Sequence, residues 1–349
     1  MIFLSSRLQP LRRSGRQTIL GFCPQDLTIF EVVQVILIFV ARQFLSLIGR
    51  ANTFGTQETS GGENKCILPE LRLSMPLRIT DSQIQEYALA IGQKDPRQIL
   101  ARPEQLCLML STFSQPAFLL LLAHHQSPIR PIGSVNIGNK FELLRPDLCL
   151  EAAGERYMNG RAGKEARSRF VPETRKVKRG LELDLEVEIV DLEHDDVIFR
   201  QVFTMLQFMK HKSGLAEKQT TETVGDEPQW LSEYSKTISI PRDSTMRWAR
   251  ICKDYNPIHT SKLAAKMLGL PSRILHGNHA LVCATQVLQD QIDCLPGQKV
   301  TIEVRFRRPM VMPSRLVAEV ARTLDEGQIA IRIKNEVAKV YVQASIHSG

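Results

Sequence analysis

One pattern occurs twice in this chain, and that limits its possible folds more than any other feature. The segment "MPLRITDSQIQEYALAIGQKDP" (75–96) returns in looser form as "TISIPRDSTMRWARICKDYNP" (237–257). Tyr87-Ala88 then falls on Trp248-Ala249, and Asp95-Pro96 on Asn256-Pro257. "SVNIGNKFELLRP" (134–146) is matched in the same order by "KVTIEVRFRRP" (299–309), with Val135, Ile137 and Phe141 spaced as Val300, Ile302 and Phe306. An internal repeat of this size reads as two copies of one unit. The expected organisation is a leader over 1–67, a first copy over 68–209, a polar linker over 210–229 and a second copy over 230–349.

The second copy is the easier to read. "SEYSKTISI" predicts a short strand, and a helix follows from Asp243 or Ser244, good N-cap residues. "SKLAAKMLG" predicts a two-turn helix ended by Gly269. After His276-Gly277, Ala280, Leu281, Ala284, Val287 and Leu288 recur at helical spacing, giving a longer helix with a broad buried face. The period then changes to two: "KVTIEVRFRRP", "SRLVAEVAR", "QIAIRIKN" and "AKVYVQASI" alternate as half-buried strands around a turn at 325–327. The first copy repeats the order. "FSQPAFLLLLAHH" (113–125) is its apolar helix, in which "AFLLLLAHH" (117–125) is either core or the lining of an apolar tunnel, and "LELDLEVEIVDLEHDDVIFRQVFTMLQF" (181–208) is a strand pair around a polar turn. The class is α+β, each half a long helix on a curved antiparallel sheet.

A chain of 349 residues suits two such units and a tail, and 43% hydrophobic with 23% charged residues suits a folded core. The net charge of +8 fits a phosphate-bearing ligand, an acidic carrier protein or an anionic membrane, and equally an ordinary solvated surface. Seven dispersed cysteines without a CxxC pair argue against a zinc or redox motif and for a reducing compartment. The first 25 residues carry four arginines and no acid, a transit-peptide composition that favours a mitochondrial or membrane-associated location. Residues 29–49 are apolar over nearly a bilayer span but interrupted by Glu31, Gln34, Arg42 and Gln43. They read as an imperfect anchor, an interfacial helix or part of a longer targeting region. Residues 52–65 read as a flexible linker, so the folded part is expected to start near Leu68.

Chemistry concentrates in "KDYNPIHTSKLAAKMLGLPSRILHG" (253–277). Pro257 biases Asn256 away from the α region, so Asp254 and His259 flank a turn that can aim both into one cleft. A carboxylate with an imidazole can move a proton and activate water near neutral pH. His276-Gly277 opens the long helix, where free backbone N–H groups can stabilise charge developing on an oxygen. Each element alone also has a plain structural reading, as a turn or a helix cap; His279 reads as a packing or surface residue. In the first copy Gln93 and Gln98 stand where Asp254 and His259 stand, so that copy lacks the acid–base pair.

The run D-x-N-P-[IL]-H, a short helix, then HG opening a long helix resembles the MaoC-like dehydratase family, the (R)-specific enoyl-CoA hydratase (hydratase 2) group. "FRRP" sits where that family has its "F..P" strand. The specific match covers about 245–310, and the double arrangement with a degraded first copy covers about 70–349. The resemblance implies a tandem hotdog fold, a pseudo-dimer within one chain, with a homodimer open. It implies reversible addition of water to a trans-2-enoyl thioester, giving a (3R)-hydroxyacyl thioester carried on coenzyme A or an acyl carrier protein. Asp254 and His259 would handle the water and its protons, and the Gly277 N–H would polarise the thioester carbonyl. Asn256, His276 and Asn278 would bind the substrate, Asn256 bracing the site rather than acting chemically. No metal or other cofactor is implied. Two departures stand out: Lys253 where the family commonly has Gly, which would strain the turn if that backbone is left-handed, and Asn278 where a large apolar residue is usual. Lys253 leaves open a non-catalytic acyl-thioester-binding or scaffold protein. A hotdog thioesterase would carry an acid on the long helix, and residues 277–288 contain none. The basic run 167–180 is explained as well by a charged loop as by nucleic acid or by the phosphates of coenzyme A.

Overall fold

The computed structural model describes residues 4–13, 15–47, 55–58, 64–130, 134–152, 163–209, 232–322 and 328–349. The first half runs β1 (Gln17–Ile19), α1 (Ile29–Leu47), β2 (Gly55–Glu58), β3 (Asn64–Ile67), β4 (Arg72–Leu77), α2 (Asp81–Ala90), α3 (Pro96–Ala101) and α4 (Pro103–Ala123). It continues with β5 (Ser134–Leu143), α5 (Pro146–Ala152), β6 (Lys164–Val177), β7 (Gly180–Asp191) and β8 (Asp196–Phe208). The second half runs β9 (Tyr234–Ile240), α6 (Ser244–Cys252), α7 (Pro257–Thr260), α8 (Lys262–Met267) and α9 (Gly277–Val287). Four strands complete it: β10 (Val300–Phe306), β11 (Ser314–Arg322), β12 (Gln328–Lys334) and β13 (Val340–Ser348).

The main path of the sheet is β4-β6-β7-β8-β5-β10-β13-β12-β11-β9, antiparallel throughout, with β1 added in parallel outside β4. Counted within its own half, each set runs first, third, fourth, fifth, second strand. The repeat read in the sequence is therefore a repeat of topology. The two second strands meet at the seam, Leu143 opposite Val300 and Asn139 opposite Val304. Gly138 lets them meet, because a Cβ there would lie 2.8 Å from the Val304 carbonyl oxygen. Inside this curved sheet lie α4, buried along almost its whole length, and α9, whose residues from Asn278 to Gln286 are all buried. The result is the tandem hotdog, α+β as expected.

Tyr87 and Trp248, aligned in the repeat, touch each other across the pseudo-symmetric centre with ring centroids 5.8 Å apart. Period-two patterning explains the strands: β12 alternates half-buried and buried residues along its length, Ile329, Ile331 and Ile333 facing inward.

Several expectations change. Ordered structure begins well before Leu68: Leu8, Leu11, Leu20 and Val32 are buried in the same core, and the Leu20 N–H donates to the Ser74 oxygen. Within the expected linker, residues 55–58 pair with 64–67 as a β-ladder. The basic run 167–180 is mostly strand β6, not a loop, and three of its four arginines are paired with acids: Arg167 with Glu165, Arg169 with Glu186, Arg175 with Asp184. The segment 117–125 serves as core, Phe118 stacking on Phe203 at 4.3 Å. A small, partly open pocket in this half is lined by Leu77, Leu106, Met109, Leu110 and Ile189, with Lys164 also on its wall. The 210–229 linker and the 325–327 turn lie outside the described residues.

Candidate active site

The turn between α6 and α7 is built from local hydrogen bonds. The Asp254 carboxylate accepts the Asn256 N–H at 3.1 Å through Oδ1, and the Asn256 side chain accepts the Ile258 N–H at 3.3 Å, capping α7. Asn256 is exposed, with its side-chain oxygen used in that cap. It braces the turn. Pro257 at the first position of α7 fits because that N–H would have no helical acceptor.

Lys253 ends α6 in the left-handed conformation, φ 56°, and its counterpart in the first copy is Gly92, φ 79°. The strain foreseen for a non-glycine residue is therefore present. Lys253→Gly is expected to raise stability by ~0.5–1 kcal/mol, the relieved strain less the extra chain entropy of glycine. Urea unfolding of the two proteins measures it, and a less stable glycine variant would refute it. The Lys253 side chain is partly buried, which pulls its pKa down; the opposing charges are those of Asp26 and Glu86.

His259 is fixed by its Nδ1, which lies 2.9 Å from the Ile274 carbonyl. A carbonyl only accepts, so Nδ1 carries the proton and Nε2 presents a lone pair. His276 stacks on it at 3.7 Å between centroids and directs its Nε2 to the Asp254 carbonyl oxygen at 3.2 Å. Its Nε2 is also 3.7 Å from the Asp254 carboxylate. Burial pushes the His259 pKa down, against the pull of Asp254, and pushes the His276 pKa well down. Both shifts favour the neutral ring. Ligand-type atoms of Asp254, His259 and His276 lie within 4.8 Å of one another, so by donor type this trio could also hold a metal ion.

Gly277 is the first residue of α9, so its N–H has no acceptor within the helix. Glycine is needed there, since a Cβ would meet the Phe306 ring at 2.4 Å. Phe306 comes from the "FRRP" strand, so that strand packs directly against Gly277. His279 is a packing residue, stacked on Trp248 at 4.5 Å, with its pKa held down to about 4 by burial.

Asp254, His259, His276 and Gly277 are thus brought together. Asn278 is buried and its Oδ1 accepts from Asn139 Nδ2 at 2.8 Å, so it ties α9 to the first half. Two residues of the first half were missed by sequence reasoning. One is Asn139. The other is Gln115 on α4, buried, whose Nε2 donates to Asp254 Oδ2 at 3.2 Å. Nothing in the sequence signals them, because they meet the turn only after both halves assemble. Gln115→Leu would leave that carboxylate oxygen without its donor. We expect a loss of about tenfold in kcat/KM, one hydrogen bond to a charged group; unchanged kinetics would remove Gln115 from the site.

The first copy preserves the geometry of the turn. Gln93 Oε1 accepts the Asp95 N–H at 3.1 Å, as Asp254 accepts that of Asn256, and Asp95 caps α3 through the Arg97 N–H at 3.0 Å. Gln93 and Gln98 hydrogen-bond to each other at 3.0 Å where the second copy has its carboxylate and imidazole.

Residues 221–344 match the family model described as "MaoC like domain". Among curated proteins, 3-hydroxyacyl-thioester dehydratase X of Mycobacterium tuberculosis is 26% identical over 239 residues, covering 68% of this chain and 75% of that protein. The fatty acid synthase beta subunit pkiC of Emericella nidulans is 33% identical over 145 residues, 39% of this chain but 7% of that much longer protein. The crystal structure of HtdX from Mycobacterium tuberculosis superposes with a TM-score of 0.57 at 19% identity, covering 80% of this chain and all of that one. A MaoC-like dehydratase from Phytophthora capsici gives 0.57 at 15% identity, covering 80% and 94%. At these identities the structural likeness shows a shared fold.

Proposed function

We propose, from the match of residues 221–344 to the MaoC-like family model, that the chain is a hydro-lyase that reversibly hydrates trans-2-enoyl thioesters to (3R)-hydroxyacyl thioesters in fatty-acid metabolism. The single observation that carries this is the convergence of Asp254, neutral His259 and the Gly277 N–H at the mouth of α9. The 3-hydroxyacyl-thioester dehydratase at 26% identity supports the same substrate class. A water held between the Asp254 carboxylate and His259 Nε2 attacks C3 of the enoyl chain. The electron pair of the C2–C3 double bond moves towards the thioester carbonyl, whose oxygen is held by the Gly277 N–H at the positive end of α9. The acid–base pair takes the proton lost by water and returns one to C2, so no proton is gained or lost overall. Every role in that sequence is filled by a group of this chain, and the carrier is coenzyme A or an acyl carrier protein.

The first half then has a function without chemistry of its own. It supplies Gln115 to the catalytic carboxylate and Asn139 to α9, and it closes the sheet at the seam. The test is loss of enoyl absorbance with short, medium and long trans-2-enoyl-CoA, using the full chain because residues before Leu68 belong to the core. Turnover with a (3R) product supports the proposal. Tight binding of these thioesters without turnover would leave an acyl-binding protein.

A further inference from the structure

The reaction leaves the apolar segment beginning at Ile29 unexplained. In the structure it is α1, and polar anchors fix which way it faces. Glu31 is turned inward, 3% exposed, and accepts from Ser5 Oγ at 3.1 Å, Arg7 at 3.0 Å and the Thr28 N–H at 3.0 Å. Gln34, also 3% exposed, accepts the Ser5 N–H. At the other end Arg42 donates to the carbonyls of Leu122, His124, Ser127 and Ile129. These bonds hold the polar side of the helix against the protein. Its outer side carries Ile29, Phe30, Val33, Leu37, Val40 and Phe44, between 45% and 76% exposed. Among the described residues of α1, every exposed one is apolar. That inverts the usual arrangement, in which a surface helix buries its apolar stripe and shows charge to water.

Basic residues rim the same region. Arg12, Arg13 and Arg16 are exposed, Arg16 reaching Glu70 at 3.4 Å, and no acidic residue precedes Asp26. The Leu11 oxygen accepts the His125 N–H at 3.0 Å and the Gly15 N–H reaches Gln126 Oε1 at 3.3 Å. This stretch therefore passes the end of α4 that Arg42 caps. We propose that α1 is an interfacial helix that seats the enzyme on an anionic phospholipid surface, its apolar face in the acyl boundary and the arginines against the headgroups. A second copy is the poorer occupant: a symmetric pair would bring two sets of the same arginines together on a chain already at +8, whereas an anionic bilayer neutralises them. The inference rests on α1 and the N-terminal arginines alone, independently of the reaction.

The test is co-sedimentation of the full chain with phosphatidylcholine vesicles made with or without phosphatidylserine. Binding is expected to vesicles containing phosphatidylserine and to weaken with salt. The R12Q/R13Q variant should bind less by about fivefold per arginine. The V33E/L37E variant should lose about tenfold per apolar side chain removed from the interface, with enoyl-thioester hydration unchanged in both. Failure of the wild-type chain to bind, or equal binding to neutral vesicles, would overturn the proposal. So would a wild-type dimer that V33E/L37E converts to monomer, which would assign the face to a second copy.

Discussion

Asp254→Asn and His259→Gln are each expected to lower kcat/KM for trans-2-enoyl-CoA hydration by ~10³-fold, the scale of losing a positioned acid or base. Each replacement keeps the size of the side chain, so the turn should survive: an asparagine Oδ1 can still accept the Asn256 N–H. Urea unfolding near the wild-type midpoint would separate a chemical defect from a folding one. The pH profile gives an independent check. His259 must present an unprotonated Nε2, and burial holds its pKa below the ordinary histidine value. The wild-type rate should therefore be level through neutrality and fall only on the acid side, below about pH 6.5. Activity within tenfold of wild type in either variant would sink the assignment of this pair. An acid limb centred well above pH 7 would count against His259 as the base.

Trp248→Ala is expected to cost about 3–5 kcal/mol of stability, the range for emptying a fully buried aromatic site. Trp248 is completely buried and joins three elements: its own α6, Tyr87 of α2 at 5.8 Å and His279 of α9 at 4.5 Å, the last nearly parallel. Its removal opens a cavity at the pseudo-symmetric centre, where both halves lose contacts. Because His279 lies two residues after Gly277, activity should fall as well, through loosening of the first turn of α9. Denaturant unfolding measures the stability, and Trp248→Phe should recover most of it by refilling the space. A loss below about 1 kcal/mol for the alanine variant would show that the two halves do not depend on this contact.

The sequence was legible where the governing physics is local. Period-two alternation set β10 to β13, helical spacing set α9, and Pro257 made the catalytic turn a turn. Lys253, standing where the resembled family commonly has glycine, marked a position that would be strained if left-handed, and it adopts that backbone. The repeat went further and fixed the shared topology of the two halves. It also showed which half had lost the carboxylate and imidazole.

What the sequence left undecided was every contact between residues far apart in the chain. Gln115 and Asp254 are 139 positions apart, as are Asn139 and Asn278, and no local pattern marks such pairs. They form only when β5 and β10 close the seam and bring α4 beside the turn of the other half. The N-terminal region shows the same division. Its composition, basic and then apolar, is plain in the sequence. Whether Leu8, Leu11 and Val32 pack inward while Phe30 and Leu37 face out is decided by the surface that α4 and the flanking strands offer them. Burial is a property of the assembled sheet and helices, and so tertiary structure alone could convert a targeting-like segment into part of the core.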